Sequence, residues 1–310
     1  MITTVTLNAS IDKAYTMSAK IENGTVMRVA NCHNTAGGKG LNVARVAKIC
    51  GENVLTTGFA GGYNGAYLQH MLEADGIPQQ FISVQGETRG CINILDPAYG
   101  STEYLEPGCD ITKEEEQEFL TKFPAIIKDS QAVTISGSIP KGLGKDIYKH
   151  IVKIAKDAGK QVILDTSGEA LKYGIEAKPT MIKPNKEEME GLFGIKIDTL
   201  DDVIAGAKRL YQMGIENVVV SLGGDGALLV CAEGVFTGKP PKVEVVNTVG
   251  CGDSMVAAFA VGMVRAYDKP QCLKYAVAVA TANALSDSTG NYDPEIRDNI
   301  LDKVIVKKIG

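Results

Sequence analysis

Short apolar runs alternate with stretches whose apolar residues recur every three or four positions, the pattern of a layered α/β domain. The runs at 3–7, 54–57, 132–135, 161–164, 181–182, 218–221 and 227–230 predict strands. Between them the spacing predicts helices at 38–50, 63–75, 113–128, 145–158, 186–193, 201–213, 252–266 and 271–286. Acidic residues open several of these helices and glycine closes several, as unpaired backbone groups at helix ends require. Thr112-Lys113-Glu114-Glu115 has the spacing of a capping box.

Two segments break the alternation. Residues 13–34 and 89–106 have strand-like patterning (Cys91-Ile92-Asn93-Ile94-Leu95; Thr102-Glu103-Tyr104-Leu105) with no helix inside them. They predict a small separate sheet, either a lid over a substrate cleft or two surface hairpins that only connect. The expected organisation is one α/β domain over residues 1–310, with lid insertions at about 13–35 and 88–107. No internal repeat or low-complexity segment interrupts it.

A chain of 310 residues that is 45% hydrophobic can bury a large core. Its net charge of −5 gives no general attraction to nucleic acid or to an anionic membrane surface. An anionic ligand would therefore need a local basic site. The seven cysteines are scattered and form no CxxC pair, which reads as free thiols in a reducing compartment. Residues 1–7 lack the basic and apolar regions of a signal peptide, and no apolar run reaches spanning length. The expectation is a cytoplasmic protein.

Candidate chemistry concentrates in two glycine-rich segments. Asn247-Thr248-Val249-Gly250-Cys251-Gly252-Asp253-Ser254 stands where a helix begins, so its first amides are unpaired and lie at the positive end of the helix dipole. Gly250, Cys251 and Gly252 can hold a transferring phosphoryl group there, and Asp253 lies beside whatever receives it. Ala36-Gly37-Gly38-Lys39-Gly40-Leu41-Asn42 is the second segment. Gly38 permits close backbone approach, Lys39 adds a point charge and Asn42 lies one turn on. The spacing is that of neither a Walker A loop nor a GxGxxG dinucleotide site.

Smaller signals surround these segments. Asp12 follows the first strand and suits either sugar hydroxyls or loop capping, and Arg89 opens the second lid segment and suits a phosphate dianion. Ser138 in Ser136-Gly137-Ser138-Ile139-Pro140 follows a strand and could line the same cleft. Asn185, after Lys183-Pro184, is a good N-cap. With Glu188 and Asp165 it could instead stand beside hydrated Mg²⁺. Ser221-Leu222-Gly223-Gly224-Asp225-Gly226 fits a hairpin or a flat nucleotide-binding wall. A thiol at a helix start, Cys251, is either reactive or a small buried filler. The three histidines have no metal-ligand spacing.

The two glycine-rich segments together resemble those of the ribokinase-like sugar kinases, the PfkB carbohydrate kinase family, over essentially the whole chain. The resemblance implies a three-layer α/β/α fold with a mostly parallel sheet and a small β lid that often clasps a second subunit. It also implies ATP and Mg²⁺ as requirements, with a homodimer formed through the lid. Leu7-Asn8-Ala9-Ser10-Ile11-Asp12, Thr35-Ala36-Gly37-Gly38-Lys39-Gly40-Leu41-Asn42 and Ile182-Lys183-Pro184-Asn185 are similar to the branch that phosphorylates ketohexose monophosphates. Gly86-Glu87-Thr88-Arg89-Gly90-Cys91-Ile92 leans toward tagatose 6-phosphate as acceptor, with fructose 1-phosphate the alternative. Asn247, Ala9 and Cys251 depart from the family's common residues. Carried over by position, Asp253 is the expected base. Asp12, Gly38, Lys39, Asn42, Arg89 and Ser138 are expected at the sugar phosphate. Lys183, Asn185, Ser221, Gly223, Gly226 and Asn283 are expected at the nucleotide, with Asp165 and Glu188 at the metal through water. The rival reading is a catalytically silent sensor on the same fold.

Overall fold

A computed structural model describes all residues, Met1–Gly310. The first apolar run forms β1 (Ile2–Thr6), buried at every position. The chain then builds β2 (Ser10–Thr16) and β3 (Asn31–Gly37), which runs directly into α1 (Lys39–Ile49). β4 (Val54–Gly61), α2 (Gly62–Ala74), β5 (Ile82–Val84), β6 (Arg89–Asp96) and β7 (Gly100–Leu105) follow. Regular alternation resumes with α3 (Lys113–Ile126), β8 (Ala132–Ser136), α4 (Ile147–Asp157), β9 (Gln161–Asp165) and α5 (Gly168–Gly174). It continues through β10 (Met181–Ile182), α6 (Lys186–Phe193), α7 (Leu200–Gln212), β11 (Asn217–Ser221), β12 (Ala227–Cys231) and β13 (Gly234–Lys239). Helices α8 (Cys251–Val264), α9 (Lys269–Ala284) and α10 (Pro294–Leu301) precede the last strand, β14 (Ile305–Lys308).

The main sheet has the order β14-β13-β12-β11-β10-β9-β8-β1-β4-β5. From β11 to β5 the neighbours are parallel, and β12, β13 and β14 extend the sheet with antiparallel strands. Apolar clusters cover both faces. Residues of α1, α2, α8, α9 and α10 build one, and residues of α3, α4, α5, α6 and α7 build the other. Burial on both sides explains why the central strands read as continuous apolar runs. No helix is long and apolar enough to cross a membrane.

Strand order turns at β1, whose neighbours are β4 on one side and β8 on the other. Such a switch point leaves a crevice at the strands' carboxyl ends. The segments that follow β1, β8 and β9, and the start of α1, all converge there.

A second sheet, ordered β3-β2-β6-β7, stands apart from the first. It begins at Ser10 rather than at residue 13, because Ser10 pairs with both Gly37 and Arg89. Asp12 therefore sits within a strand and not in a loop after β1. The two-residue alternation of Ser10, Ile11 and Asp12 is too short to stand out in sequence. The capping box at Thr112 and Glu115 is present. The pattern missed β5, β13, β14, α5 and α10. β5 spans three residues, β13 begins and is interrupted by glycine, and β14 carries two lysines.

Candidate active site

Five of the ten α-helices begin with a side-chain cap: Thr112, Asn185, Thr199, Asp268 and Asp293 each accept a bond from the first turn. α1, α2, α4, α5 and α8 have none, and of these α1 and α8 start at the cavity on glycine N-caps, Gly38 and Gly250. Gly250 has φ 81°, and a Cβ there would come within 2.8 Å of Thr289 Cγ2, so both conformation and space demand glycine. The Cys251 amide donates to the Thr248 carbonyl at 3.3 Å. The first-turn geometry leaves the Gly252 and Asp253 amides without an intrahelical acceptor. Both residues line a cavity of about 1670 Å³ at the switch point. Free amides and the helix dipole make this end an anion hole.

The hole is narrower than the sequence implies. Cys251 commits its amide to Thr248, and its Sγ receives a bond from Asn283 Nδ2 at 3.4 Å. Burial pushes the thiol's pKa up, with the Asn283 bond opposing it. Desolvation thus opposes the activating effect of a helix start on this half-buried thiol. Asn283, expected at the nucleotide, is fully buried. Its Nδ2 also donates to the Val249 carbonyl at 3.0 Å, and its Oδ1 accepts from the Gly290 amide at 3.0 Å. It props the turn from beneath and has no free face for a ligand.

Asp253 is buried on the first turn of α8, and Asn42 Nδ2 donates to its Oδ2 at 2.8 Å. Desolvation pushes its carboxyl up to about 6, against the pull of the Lys39 and Lys183 charges and the Asn42 bond. A carboxyl with that affinity can accept a proton near neutral pH and release it again.

Gly38, Lys39, Asn42, Asp12, Arg89 and Ser138 line the same cavity as Gly250, Gly252 and Asp253. Asp12 Oδ1 accepts from Ser10 Oγ at 2.6 Å, and burial raises its pKa against the charges of Arg89 and Arg45. Arg89 is half-buried rather than free. Its Nε and Nη2 donate to the Asn8 carbonyl at 3.2 and 2.9 Å, and Nη1 donates to the Glu106 carbonyl at 2.8 Å. One N–H on each terminal nitrogen is left over. Ser138 Oγ accepts from Asn8 Nδ2 at 3.0 Å.

Asp165 ends β9 fully inside the protein. Lys183 Nζ approaches its Oδ1 at 3.2 Å and Lys39 Nζ its Oδ2 at 3.6 Å. Asp165 above all holds the Lys39 ammonium above its ordinary pKa. Lys183 Nζ also lies 3.3 Å from the place a Gly252 Cβ would occupy, so the lysine stands against the anion hole. Asn185 and Glu188 form a reciprocal capping box, with Glu188 Oε2 accepting from the Asn185 amide at 2.9 Å. Burial raises the Glu188 pKa. Ser221, Gly223 and Gly226 lie at the short turn between β11 and β12, outside the cavity.

An anion hole, a poised carboxylate and two pinned lysines at one crevice are the parts of a phosphoryl-transfer site, and comparison with known proteins agrees. Residues 5–296 match the pfkB family carbohydrate kinase description. The chain belongs to that family. It is 38% identical to the tagatose-6-phosphate kinase of Staphylococcus epidermidis over 312 residues, covering 100% of both chains. The potassium complex of Escherichia coli phosphofructokinase-2 superposes with a TM-score of 0.92 at 28% identity, covering 97% of this chain and 98% of that one. A possible 1-phosphofructokinase from Thermotoga maritima gives 0.91 at 27% identity over 100% of both. A phosphotransferase of carbohydrates with the ribokinase-like arrangement of a large and a small sheet is therefore established.

Within that pfkB frame two side chains escaped the sequence reading. Asn8 bridges to Ser138 and, at 3.2 Å, to the Pro107 carbonyl. Arg45 lies under Asn42, its Nη1 donating to Asn42 Oδ1 at 3.1 Å. The three-residue spacing of Lys39, Asn42 and Arg45 along one helix face was the available signal.

Proposed function

We propose that this chain transfers the γ-phosphoryl group of ATP to a primary hydroxyl of a ketohexose monophosphate, converting tagatose 6-phosphate to tagatose 1,6-bisphosphate. The observation that carries the reading is Asp253, a carboxylate pushed up to about 6 beside two free helix amides. Asp253 takes the hydroxyl proton as the acceptor oxygen bonds to the γ-phosphorus. The bond to the bridging oxygen breaks, and ADP leaves with that oxygen's charge. The Gly252 and Asp253 amides, with Lys183 against them, receive the negative oxygens of the migrating group. Because the transition state is loose, positioning and charge neutralisation supply most of the rate.

Asp12 accepts hydrogen bonds from sugar hydroxyls, and the two spare N–H groups of Arg89 meet the phosphate at the far end of the acceptor. Lys39, Asn42, Gly38 and Ser138 frame the sugar between them. Lys183, Asn185, Ser221, Gly223 and Gly226 border the nucleotide. No three acidic, histidine or cysteine side chains are grouped to hold a metal, so a cage made of protein alone does not fit. Asp165 Oδ2, buried with no hydrogen-bond partner, and Glu188 instead suit a hydrated Mg²⁺ that also binds phosphate oxygens. Held by Asp165 and Glu188 through water, Mg²⁺ would supply charge neutralisation to the phosphates.

The small sheet serves as a lid and as the contact to a second subunit. Support comes from its exposure: β7 is exposed throughout, with Leu105 on the cavity side and Tyr104 on the other. Fructose 1-phosphate is the second acceptor to weigh, favoured by the likeness to the Thermotoga maritima structure. Comparing kcat/KM for tagatose 6-phosphate, fructose 1-phosphate, fructose 6-phosphate and tagatose 1-phosphate separates these readings. Tagatose 6-phosphate is expected to lead. A lead for fructose 1-phosphate replaces the acceptor, and no ADP release with any of the four removes the kinase reading.

A further inference from the structure

Arg45 lines the cavity with Lys39 and Asn42, and its guanidinium is engaged by three other residues that line it. Nη1 donates to Asn42 Oδ1 at 3.1 Å, Nη2 donates to the Ala36 carbonyl at 2.7 Å, and Nε lies 3.7 Å from Asp75 Oδ2. The group is thus held by the end of β3, the end of α2 and its own helix. A primary amide has an acceptor side and a donor side of nearly the same shape. With Oδ1 taken by Arg45, Asn42 must turn Nδ2 toward Asp253, which it meets at 2.8 Å. The reversed amide would set its oxygen against the carboxylate and its N–H groups against the guanidinium.

We propose that Arg45 is a positioning residue for phosphoryl transfer, acting through the Asn42 amide to hold the Asp253 carboxylate ionised and aimed at the acceptor hydroxyl. The inference rests on the reading of Asp253 as base. The other ionisable groups around Asp253 are Lys39 on α1, Asp165 at the end of β9, Lys183 after β10 and Cys251 on α8. None of them bonds Arg45. Its own charged neighbours besides Asp253 are Asp75 and Asp12.

Removing Arg45 has two separable effects. Loss of its charge acts on Asp253 through space, whatever stands at position 42. Loss of positioning acts only while the amide is present. The titration of Asp253 is to be followed by ¹³C NMR of aspartate carboxyls, assigned with Asp253→Asn, in the full-length protein. Arg45→Met is expected to raise the Asp253 titration by about one pH unit, the scale of one charge-assisted hydrogen bond. kcat should follow, falling about fivefold at pH 6 and less than about twofold at pH 8, with the KM for sugar phosphate within about twofold. In an Asn42→Ala background the Arg45→Met shift should shrink to its through-space part, less than half of that seen with Asn42 present. Arg45→Lys keeps a cation and one donor, so its titration should stay near that of the unmodified chain, and it answers the question if Arg45→Met does not fold. An unmoved Asp253 in Arg45→Met, a shift undiminished in Asn42→Ala, or a full shift in Arg45→Lys overturns the proposal. A kcat acid limb that does not track Asp253 in the unmodified chain fails a different claim, the assignment of the base.

Discussion

Asp253 holds its carboxyl where folding alone would not choose to put it. Burial raises its pKa to about 6, so the folded state binds a proton more tightly than the unfolded chain, whose value is near 4. The cost of burying the charge is absent below about pH 4, grows as pH rises through 6, and is complete by about pH 8. Asp253→Asn should therefore be more stable than the unmodified chain at pH 8 by about 1–3 kcal/mol, with no gain at pH 4. Urea unfolding at the two pH values checks this; an equal difference at both pH values contradicts the buried charge. Arg89 leads to a different expectation. Since it ties Asn8 to Glu106, Arg89→Ala should raise the KM for sugar phosphate and also lower Tm, and a change in only one of the two would split its roles. At this scale the sequence made Asp253 and its glycines legible, because helix-start chemistry is local. It did not reveal where Asn283 and Arg45 point, since side-chain direction follows from packing between distant elements.

The elements show how a site is made by omission. Five helix starts close their amides with Thr, Asn or Asp side chains, whereas α1 and α8, the two uncapped starts whose N-cap glycines line the cavity, keep theirs open with Gly38 and Gly250. Gly250→Ala puts an ordinary side chain at φ 81° and against Thr289. The left-handed conformation alone costs about 1–2 kcal/mol. The expected result is a Tm lower by several degrees and weaker inhibition by inorganic phosphate; a variant with unchanged phosphate inhibition shows that the hole lies elsewhere. Long periodic helices and buried strands were readable to within a few residues. α5, with seven residues, and β14, with its two lysines, were not, because their pattern is too short or too polar to separate from loops. The lid sheet was read from its alternation, but its first three residues were not, and with them the placement of Asp12.

Across the whole molecule, β3 passes straight into Gly38 and α1, so any movement of the small sheet is carried to the sugar side of the cavity. Away from the cavity, the small sheet and its β6–β7 turn expose Tyr104 and Tyr99 at 61% and 64% of their surface, apolar area suited to a second copy of the chain. Light scattering after gel filtration should give a dimer, and Tyr104→Lys with Tyr99→Lys should give a folded monomer. A monomeric unmodified chain rejects the clasp. None of this arrangement is visible in periodicity: the spatial order of strands, and so the switch point at β1, comes from pairing between segments far apart in the chain. The resemblance to a known family implied the mostly parallel sheet and the small second sheet, but not the order of the strands.

The central claim is that Asp253 accepts the proton from a ketohexose phosphate hydroxyl while the open start of α8 holds the phosphoryl group. Its most direct test is ADP release by the unmodified chain and by Asp253→Asn, with saturating tagatose 6-phosphate, ATP and Mg²⁺ at pH 7.5. The account predicts turnover in the unmodified chain and a loss of at least ~10² in the variant, with nucleotide affinity kept. Equal turnover by the two proteins would contradict it.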